Sequence, residues 1–276
     1  MGTSTLTRSL MWVALVFAST LPLCGQEPED RHQNVAALNE RQSGDDCALQ
    51  AETFALKKQD LTVINTEGGV LFTAGMTIDA DGAPNAYAPH NRGLDYTANA
   101  RGTGGWVALV TNQSGRPVIQ KSGRYRGYYV STTSLQQESV TDLRDPKRYV
   151  DATRIPYIAL PQDFARKFDI TLGDLAVVVN QANGRSAYAI FADVGPKGRI
   201  GEGSIALAKA LGIPADPRHD SVADGVTYLI FPGSRLQAGK HTTARSIKAS
   251  ATRLYRRWGG RQRLSTCQRP LLATEQ

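Results

Sequence analysis

The chain has 276 residues, enough for one large domain or two small ones around a buried core. Its hydrophobic fraction of 41% and charged fraction of 21% exclude collagen-like, fully disordered and multi-span membrane chains. The 32 Lys and Arg residues outnumber the 25 Asp and Glu residues, and the net charge of +7 at first suggests an anionic partner such as nucleic acid or a membrane surface.

Residues 1–25 have the features of a secretory signal peptide. They contain no acid, one base at Arg8 and an apolar run from Leu10 to Ala18 that is too short to span a membrane. We therefore predict a secreted protein, either extracellular or periplasmic. Lipidation of Cys24 is the less favoured alternative, because Leu23 stands where a lipoprotein signal has a small residue.

Residues 26–49 are predicted to form a polar N-terminal arm, and residues 50–234 a single domain of short β-type runs separated by turn clusters. Many short strands with few long helical patterns favour a mainly β barrel or sandwich. Strands are predicted at 105–110, 128–132, 157–160, 175–179, 187–191 and 227–231. A helix is predicted from Ile205 to Leu211, between the N-cap Ser204 and the terminating Gly212, and a second short one at 161–168.

Residues 235–276 form a basic C-terminal tail with ten bases and a single acid, Glu275. Apolar residues recur in it at helical spacing, which predicts an amphipathic helix in part of the tail; a solvated helix packed on the domain and a disordered segment are the alternatives. Its charge suggests contact with an anionic wall polymer or a membrane surface. Without this tail and residues 1–25, the remaining chain has a net charge of −3, which suits a cationic polysaccharide better than nucleic acid.

Two cysteines remain in the predicted mature chain, Cys47 and Cys267. In an exported protein such a pair favours a disulfide, and two unpaired thiols are the alternative. We predict no metal and no cofactor, because the histidines are scattered and no zinc-site spacing occurs. The sequence Asp79-Ala80-Asp81-Gly82 resembles the opening of a calcium loop but lacks the later ligands, so we interpret it as a turn.

The strongest candidate for chemistry is a pair of carboxylates around a glycine-rich turn. Asp193 ends a β-type run, and Glu202 precedes the helix N-cap. Both positions are rigid, so the two side chains can face one cleft, as glycoside hydrolysis requires of its proton donor and its base or nucleophile. Structural roles for both residues, in a turn and at a helix N-terminus, are the alternative. Phosphate-loop and nucleophile-elbow spacings are absent.

These residues resemble the active-site signature of the fungal-type chitosanases of glycoside hydrolase family 75. The resemblance rests on YAIFADVGP at 188–196, IGEGS at 200–204, DADGAP at 79–84, GLD at 93–95, GYYVSTTSL at 127–135, YVD at 149–151 and YIALP at 157–161. It spans about residues 50–234 and implies a single barrel-like catalytic domain, for which the double-psi barrel is a candidate topology. One departure is Ala192, where members commonly have glycine.

The resemblance implies endo-hydrolysis of the β-1,4 links of chitosan with inversion, by the two family carboxylates that fall on Asp193 and Glu202. We expect Glu202 to be the general acid and Asp193 the base. A chitosan chain also needs aromatic faces and carboxylates for its ammonium groups, so four residues in matching segments are candidate substrate-binding residues. They are Asp81, Asp95, Tyr129 and Asp151; Trp106 is predicted to lie in the core.

Two other functions are compatible with the same sequence. A hydrolase of another amino-sugar or wall glycan would keep the same carboxylates, and a non-catalytic polysaccharide-binding module of the cell wall would keep only the fold. Nucleic-acid binding is the least favoured, because export argues against it and no recognisable motif is present. We expect the protein to act as a monomer.

Overall fold

The computed structural model describes residues 47, 50–58, 60–236 and 242–273. The predicted signal peptide at 1–25, with Cys24, and nearly all of the predicted arm at 26–49 lie outside these residues. Within the described ranges, none of the helices has the length and apolarity that a membrane span requires.

Strands dominate the described chain, and a few helices lie between and after them. The strands are β1 (Ala51–Ala55), β2 (Asp60–Thr66), β3 (Gly69–Asp79), β4 (Arg101–Gly102), β5 (Gly105–Trp106), β6 (Tyr157–Pro161), β7 (Leu175–Asn180), β8 (Ser186–Gly195), β9 (Glu202–Ser204) and β10 (Ser221–Phe231). The α-helices are α1 (Gln162–Lys167), α2 (Ile205–Leu211), α3 (Ala244–Trp258) and α4 (Gly260–Ala273). Single 3₁₀ turns lie at Pro89–Asn91, Thr97–Ala100 and Pro146–Arg148.

Six of the strands close into a barrel in the order β3, β10, β7, β8, β6 and β9, with β9 pairing back to β3. The pairs β3–β9 and β6–β8 are parallel, and the other four pairs are antiparallel. Strands β1 and β2 extend the sheet beyond β3. The predicted mainly β, barrel-like domain is confirmed.

The barrel strands are nearly continuous apolar runs because helices cover part of their outer surface. Every residue of β6 is buried, as are five of the six residues of β7. Phe72 stacks on Tyr228 with ring centroids 4.9 Å apart, and Phe164 of α1 packs edge-on against Phe72. Helix α3 packs on β7 and β8, and α4 packs on β2 and β3. The core therefore continues from the barrel to the C-terminal helices.

Four of the predicted strands are confirmed, in β6, β7, β8 and β10, whereas the prediction at 105–110 is correct only for its first two residues and the prediction at 128–132 is wrong. Strand β5 has only two residues, and the segment at 128–132 forms isolated bridges such as Leu109–Ser131. Its backbone N–H groups donate to three different segments: that of Tyr129 to the Tyr87 carbonyl, that of Val130 to the Val118 carbonyl, and that of Thr132 to the Ala108 carbonyl. The segment 128–132 therefore has a β-type sequence but does not pair continuously with any one strand.

Both predicted short helices are confirmed. Helix α2 begins where the Ser204 hydroxyl accepts a hydrogen bond from the Leu207 N–H (3.1 Å), and it ends at Gly212, which has φ +67°. Only a residue without a side chain adopts this left-handed conformation at little cost. Helix α1 occupies most of the predicted range 161–168.

The C-terminal helices are joined to the barrel by packing and by a covalent link. On α3, Ile247, Ala251 and Trp258 are buried, and the Trp258 Nε1–H donates to the Thr66 hydroxyl at the end of β2 (3.0 Å). Cys47 and Cys267 form a disulfide with their Cα atoms 5.1 Å apart, which confirms the predicted pairing.

Candidate active site

The two predicted catalytic carboxylates flank a single alanine on β6. Ala159 is the register partner of Asp193 on β8 and, on its other side, of Glu202 on β9. Register partners point to the same face of a sheet, so both carboxylates lie on the face of Ala159 with a methyl group between them. Two strand spacings separate their Cα atoms, roughly 10 Å. Thr77, the partner of Glu202 on β3, is exposed and Glu202 is partly exposed, whereas Ala159 and Asp193 are buried, so the exposure of this face increases towards β3.

A bulge places Asp193 in this register. Ile158 pairs with Phe191 and Ala159 with Asp193, so Ala192 is an extra residue on β8. Such bulges re-aim side chains and are common beside active sites. Ala192 is absent from the described non-glycine residues with positive φ, which are His90, Asn91 and Asp169, so alanine takes this position without backbone strain.

Three donors hold one oxygen of the buried Asp193. Its Oδ1 accepts hydrogen bonds from the Ser134 N–H (2.9 Å), the Ser134 hydroxyl (2.6 Å) and the Val194 N–H (2.8 Å). Burial raises the pKa of Asp193, and these hydrogen bonds oppose the rise because they favour the charged form. Ser134 lies in a segment that resembles the family, but its role could not be derived from a position 59 residues before Asp193.

Glu202 has a different environment. Burial raises its pKa to about 7, the charges of Asp193 and Asp95 add to the rise, and Arg199 opposes it. Its Oε2 lies 3.0 Å from where a Cβ on Gly195 would stand, so a side chain at 195 would displace the carboxyl group. Gly201, just before Glu202, has φ +87° and lies against the Gly75 carbonyl, so this tight path also requires glycine.

Two more carboxylates lie beside the pair, Asp79 at the end of β3 and Asp81 in the turn that follows. Burial and the neighbouring charges of Glu202 and Asp193 raise the pKa of Asp79 well above its usual range. Burial, then the charges of Asp79 and Asp193, do the same for Asp81, whose Oδ1 accepts a 2.6 Å hydrogen bond from the Tyr87 hydroxyl. Asp79 is thus a site residue that the sequence analysis interpreted only as part of a turn.

Within the described residues, three of the carboxylates at this site form a group that could coordinate a cation. Asp79, Asp81 and Asp193 each offer one oxygen within 4.8 Å of the others. Three oxygens are fewer than the six to eight that Ca²⁺ takes, so water would supply the rest of the coordination. The absence of a metal stays a prediction of the sequence analysis.

The structure brings together some of the predicted substrate-binding residues and separates others. Asp81 belongs to the carboxylate cluster. Asp95 lies close enough to raise the pKa of Glu202, but its Oδ1 accepts from the Tyr96 N–H and the Asn99 amide, so it also holds its own loop. Tyr129 is half-buried and bonds through its backbone to Tyr87.

Asp151 and Trp106 lie in surroundings different from those of the carboxylate cluster. The Asp151 carboxylate accepts from the Thr153 N–H and hydroxyl, and the residue lines a separate cavity of about 740 Å³ beside Tyr149 and Arg154. Trp106 is half-buried against the core with the Arg101 guanidinium 4.1 Å from its ring centroid. Its predicted place in the core is therefore only partly correct.

One comparison with known proteins identifies a family. A family model described as fungal chitosanase of glycosyl hydrolase group 75 matches residues 76–257. The matched range runs from within β3 to α3. It includes Asp193 and Glu202, which flank Ala159, and also Asp79 and Asp81. No curated protein matches the chain.

Proposed function

Because the chain belongs to the fungal chitosanases of glycosyl hydrolase group 75 and is thus a chitosan-degrading glycoside hydrolase, we propose that it is a secreted, endo-acting enzyme that cuts β-1,4 links with inversion. The arrangement of Asp193 and Glu202 on either side of Ala159 is the observation that supports the reaction. Inverting glycosidases hold their carboxyl groups about 6.5–9.5 Å apart to leave room for a water molecule. Two strand spacings with a methyl group between them suit that separation.

Glu202 is the proposed general acid. A pKa of about 7 leaves a large fraction of this carboxyl group protonated at neutral pH, as a proton donor requires. It donates its proton to the glycosidic oxygen as the bond from that oxygen to the anomeric carbon breaks. The sugar unit on the leaving side departs with a new hydroxyl group.

Asp193 is the proposed base. Three donors fix its Oδ1, which leaves Oδ2 to accept a proton from a water molecule. The oxygen of that water bonds to the anomeric carbon from the face opposite the leaving group, so the configuration inverts. Glu202 ends the cycle ionised and Asp193 protonated, and exchange with solvent restores both.

The surroundings of the pair suit a cationic sugar chain. Asp79, Asp81 and Asp95 are carboxyl groups beside the two catalytic candidates; burial raises the pKa of each, and a bound ammonium group would favour their ionised form. Ammonium groups of chitosan are attracted to carboxylates, which are stronger partners where water is partly excluded. We propose Asp81 as the contact for a substrate ammonium, because it is half-buried and lies next to Asp193. For Asp95, Tyr129 and Asp151, substrate contact stays a prediction.

Secretion is part of the same proposal. The signal-like character of residues 1–25 supports it, and so does the Cys47–Cys267 disulfide, since disulfides persist in oxidising compartments. An extracellular enzyme also meets a polymeric substrate that does not enter cells.

Substitution of the two carboxylates tests the proposal. We expect Glu202→Gln and Asp193→Asn each to lower kcat on chitosan by about 10³-fold, because each removes one arm of general acid–base catalysis. Glu67→Gln and Asp60→Asn, exposed carboxylates of the β1–β3 region, are matched controls and should keep wild-type activity. Reducing-end assays measure the rate, and NMR of the first product gives the anomeric configuration.

Three results would contradict the proposal. Full activity in either carboxylate variant would remove its residue from the chemistry, and a first product of retained configuration would exclude the inverting mechanism. Chitosan binding without new reducing ends in the wild-type protein would favour a non-catalytic binding module. Faster cleavage of β-glucan or peptidoglycan than of chitosan would change the substrate class.

A further inference from the structure

Helix α3 has two opposite faces of different chemistry. Ile247, Ala251 and Trp258 are buried against the barrel. On the other side stand four exposed cations, which we call the basic face: Arg245, Lys248, Arg253 and Arg256. At 100° per residue these four lie within a sector of about 140°, and they extend over about 16 Å of helix.

The charge of the basic face is not compensated within the described chain. Residues 242–273 contain eight bases and no acid. Ion pairs in the described ranges join Lys167 to Glu52 and His219 to Asp216, and none involves the basic face. The Arg253 guanidinium makes one long hydrogen bond, to the Ser250 hydroxyl (3.3 Å). The four cations are therefore available to an external anion.

The shape of the surface fits a chain rather than a single ion. The four cations line an open groove of about 650 Å³ together with Ala244, Ala249 and Thr252. These small side chains allow a polymer backbone to approach the helix between the longer cationic side chains. Four charges spread over about 16 Å of helix can contact several charges of one extended polyanion at the same time.

We propose that the basic face of α3 binds a linear anionic polysaccharide. Charge complementarity favours a polyanion, and two observations separate the polysaccharide from other polyanions. The apolar residues of α3 are already buried in the protein, so the helix has no face to insert into a lipid membrane. The groove contains no aromatic side chain on which bases of a nucleic acid would stack.

This function differs from catalysis but would assist it. Chitosan is a polycation and associates with anionic polysaccharides by the same attraction. An enzyme that binds the polyanion through α3 is therefore held where its own substrate accumulates. The inference does not depend on the proposed catalytic residues, because the basic face contains none of them.

The test compares two variants with equal change in net charge. One replaces the basic face (R245Q, K248Q, R253Q and R256Q), and the matched control replaces four exposed cations scattered over the barrel region (K58Q, R116Q, R185Q and K209Q). Binding of the full mature protein to polygalacturonate is measured by fluorescence anisotropy over a salt series. We expect Kd to rise at least about tenfold in the first variant and less than about threefold in the control, with binding that weakens as salt increases.

Additional measurements identify the class of partner that binds the basic face and check that each variant is folded. Phosphatidylglycerol vesicles and duplex DNA are titrated under the same conditions, and hydrolysis of soluble chitosan oligosaccharides reports whether each variant is folded. If the quadruple variant does not fold, the pair R245Q/K248Q takes its place, with K58Q/R116Q as control. Equal loss in the two variants, no binding of polygalacturonate, or binding of vesicles or DNA at least as tight would each overturn the proposal.

Discussion

The barrel and the C-terminal helices use charge in opposite ways. In the barrel, Asp79, Asp81, Asp193 and Glu202 lie close together, and burial raises the pKa of each carboxyl group. On α3 the charges are exposed, of one sign and spread along one side of a helix. Concentrating like charges in a low dielectric costs stability but provides proton donors and acceptors, whereas spreading them in water costs little and provides long-range attraction.

This contrast explains why the net charge of the whole chain is misleading. The value of +7 combines a basic tail of net charge +9, a net charge of −3 between residues 26 and 234, and the single base Arg8. A chitosanase cleft must attract a polycation, so a uniformly basic surface would oppose its function. The two regions can therefore be tested separately, by asking whether damage to one leaves the other intact.

The largest expected effect is on stability, at the contact between the two regions. Trp258→Ala removes a buried indole and its hydrogen bond to Thr66, and leaves a cavity beside Gly69. We expect the free energy of unfolding to fall by about 3–5 kcal/mol. Chemical denaturation measures this loss, and chitosan hydrolysis below the melting temperature should remain near the wild-type rate.

Trp106→Ala is the matched control, because Trp106 is half-buried and makes a cation–π contact with Arg101. Its loss should cost about half as much, since less surface is buried. If Trp258→Ala abolished hydrolysis in a folded sample, the cleft would depend on the C-terminal helices and the separation of the two regions would be wrong.

A second prediction concerns Ser134, which positions the proposed base. Ser134→Ala removes the 2.6 Å hydrogen bond to Asp193 Oδ1 and leaves the two backbone donors. We expect kcat to fall about 10- to 100-fold with little change in KM. The lost donor favoured the ionised carboxylate, so the pKa of Asp193 should rise and the acidic limb of the pH profile should move to higher pH.

Ser134→Thr keeps the hydroxyl group and should restore most of the rate and the position of the acidic limb. Ser186→Ala makes the same change at the exposed start of β8 and should alter neither. A loss of rate in Ser134→Ala without movement of the acidic limb would assign Ser134 a structural role only.

The sequence predicted the parts of this molecule that depend on local pattern. The barrel strands β6, β7, β8 and β10 have four or more consecutive apolar residues, and α2 has a cap at each end, so local preference and tertiary structure agree. The runs at 105–110 and 128–132 have the same composition but meet each other only at the isolated Leu109–Ser131 bridge, so they form no continuous ladder. Propensity cannot separate these cases, because the partner decides whether a ladder forms.

The site was predictable in composition but not in arrangement. Family resemblance placed attention on Asp193 and Glu202, yet their common face depends on Ala159, which comes from a strand 34 residues before Asp193. The bulge at Ala192 and the hydrogen bonds from Ser134 arise only when distant segments meet. Asp79 became a site residue for the same reason, since its strand pairs with β9 across the closure of the barrel.

The smallest predicted effect concerns the stability cost of the acidic cleft. The pKa of Glu202 is about 7 in the folded protein, above its ordinary value near 4.5. The folded state therefore binds more protons between these pH values, and its stability falls as pH rises through that window. Glu202→Gln removes this penalty, which is at most about 3 kcal/mol for such a shift and smaller because the side chain is partly exposed, so the variant should be more stable than the wild type at pH 8 by about 1–2 kcal/mol and equally stable near pH 4.

Urea denaturation of wild type and variant at several pH values measures this difference, and Glu67→Gln, an exposed glutamate, should show no pH-dependent gain. A gain confined to high pH would mean that the barrel gives up stability to hold its proton donor, as active sites commonly do. A Glu202→Gln variant less stable than the wild type at pH 8 would instead mean that the ionised carboxylate is stabilised by its surroundings. The contrast between a strained acidic cleft and an unstrained basic face would then be wrong.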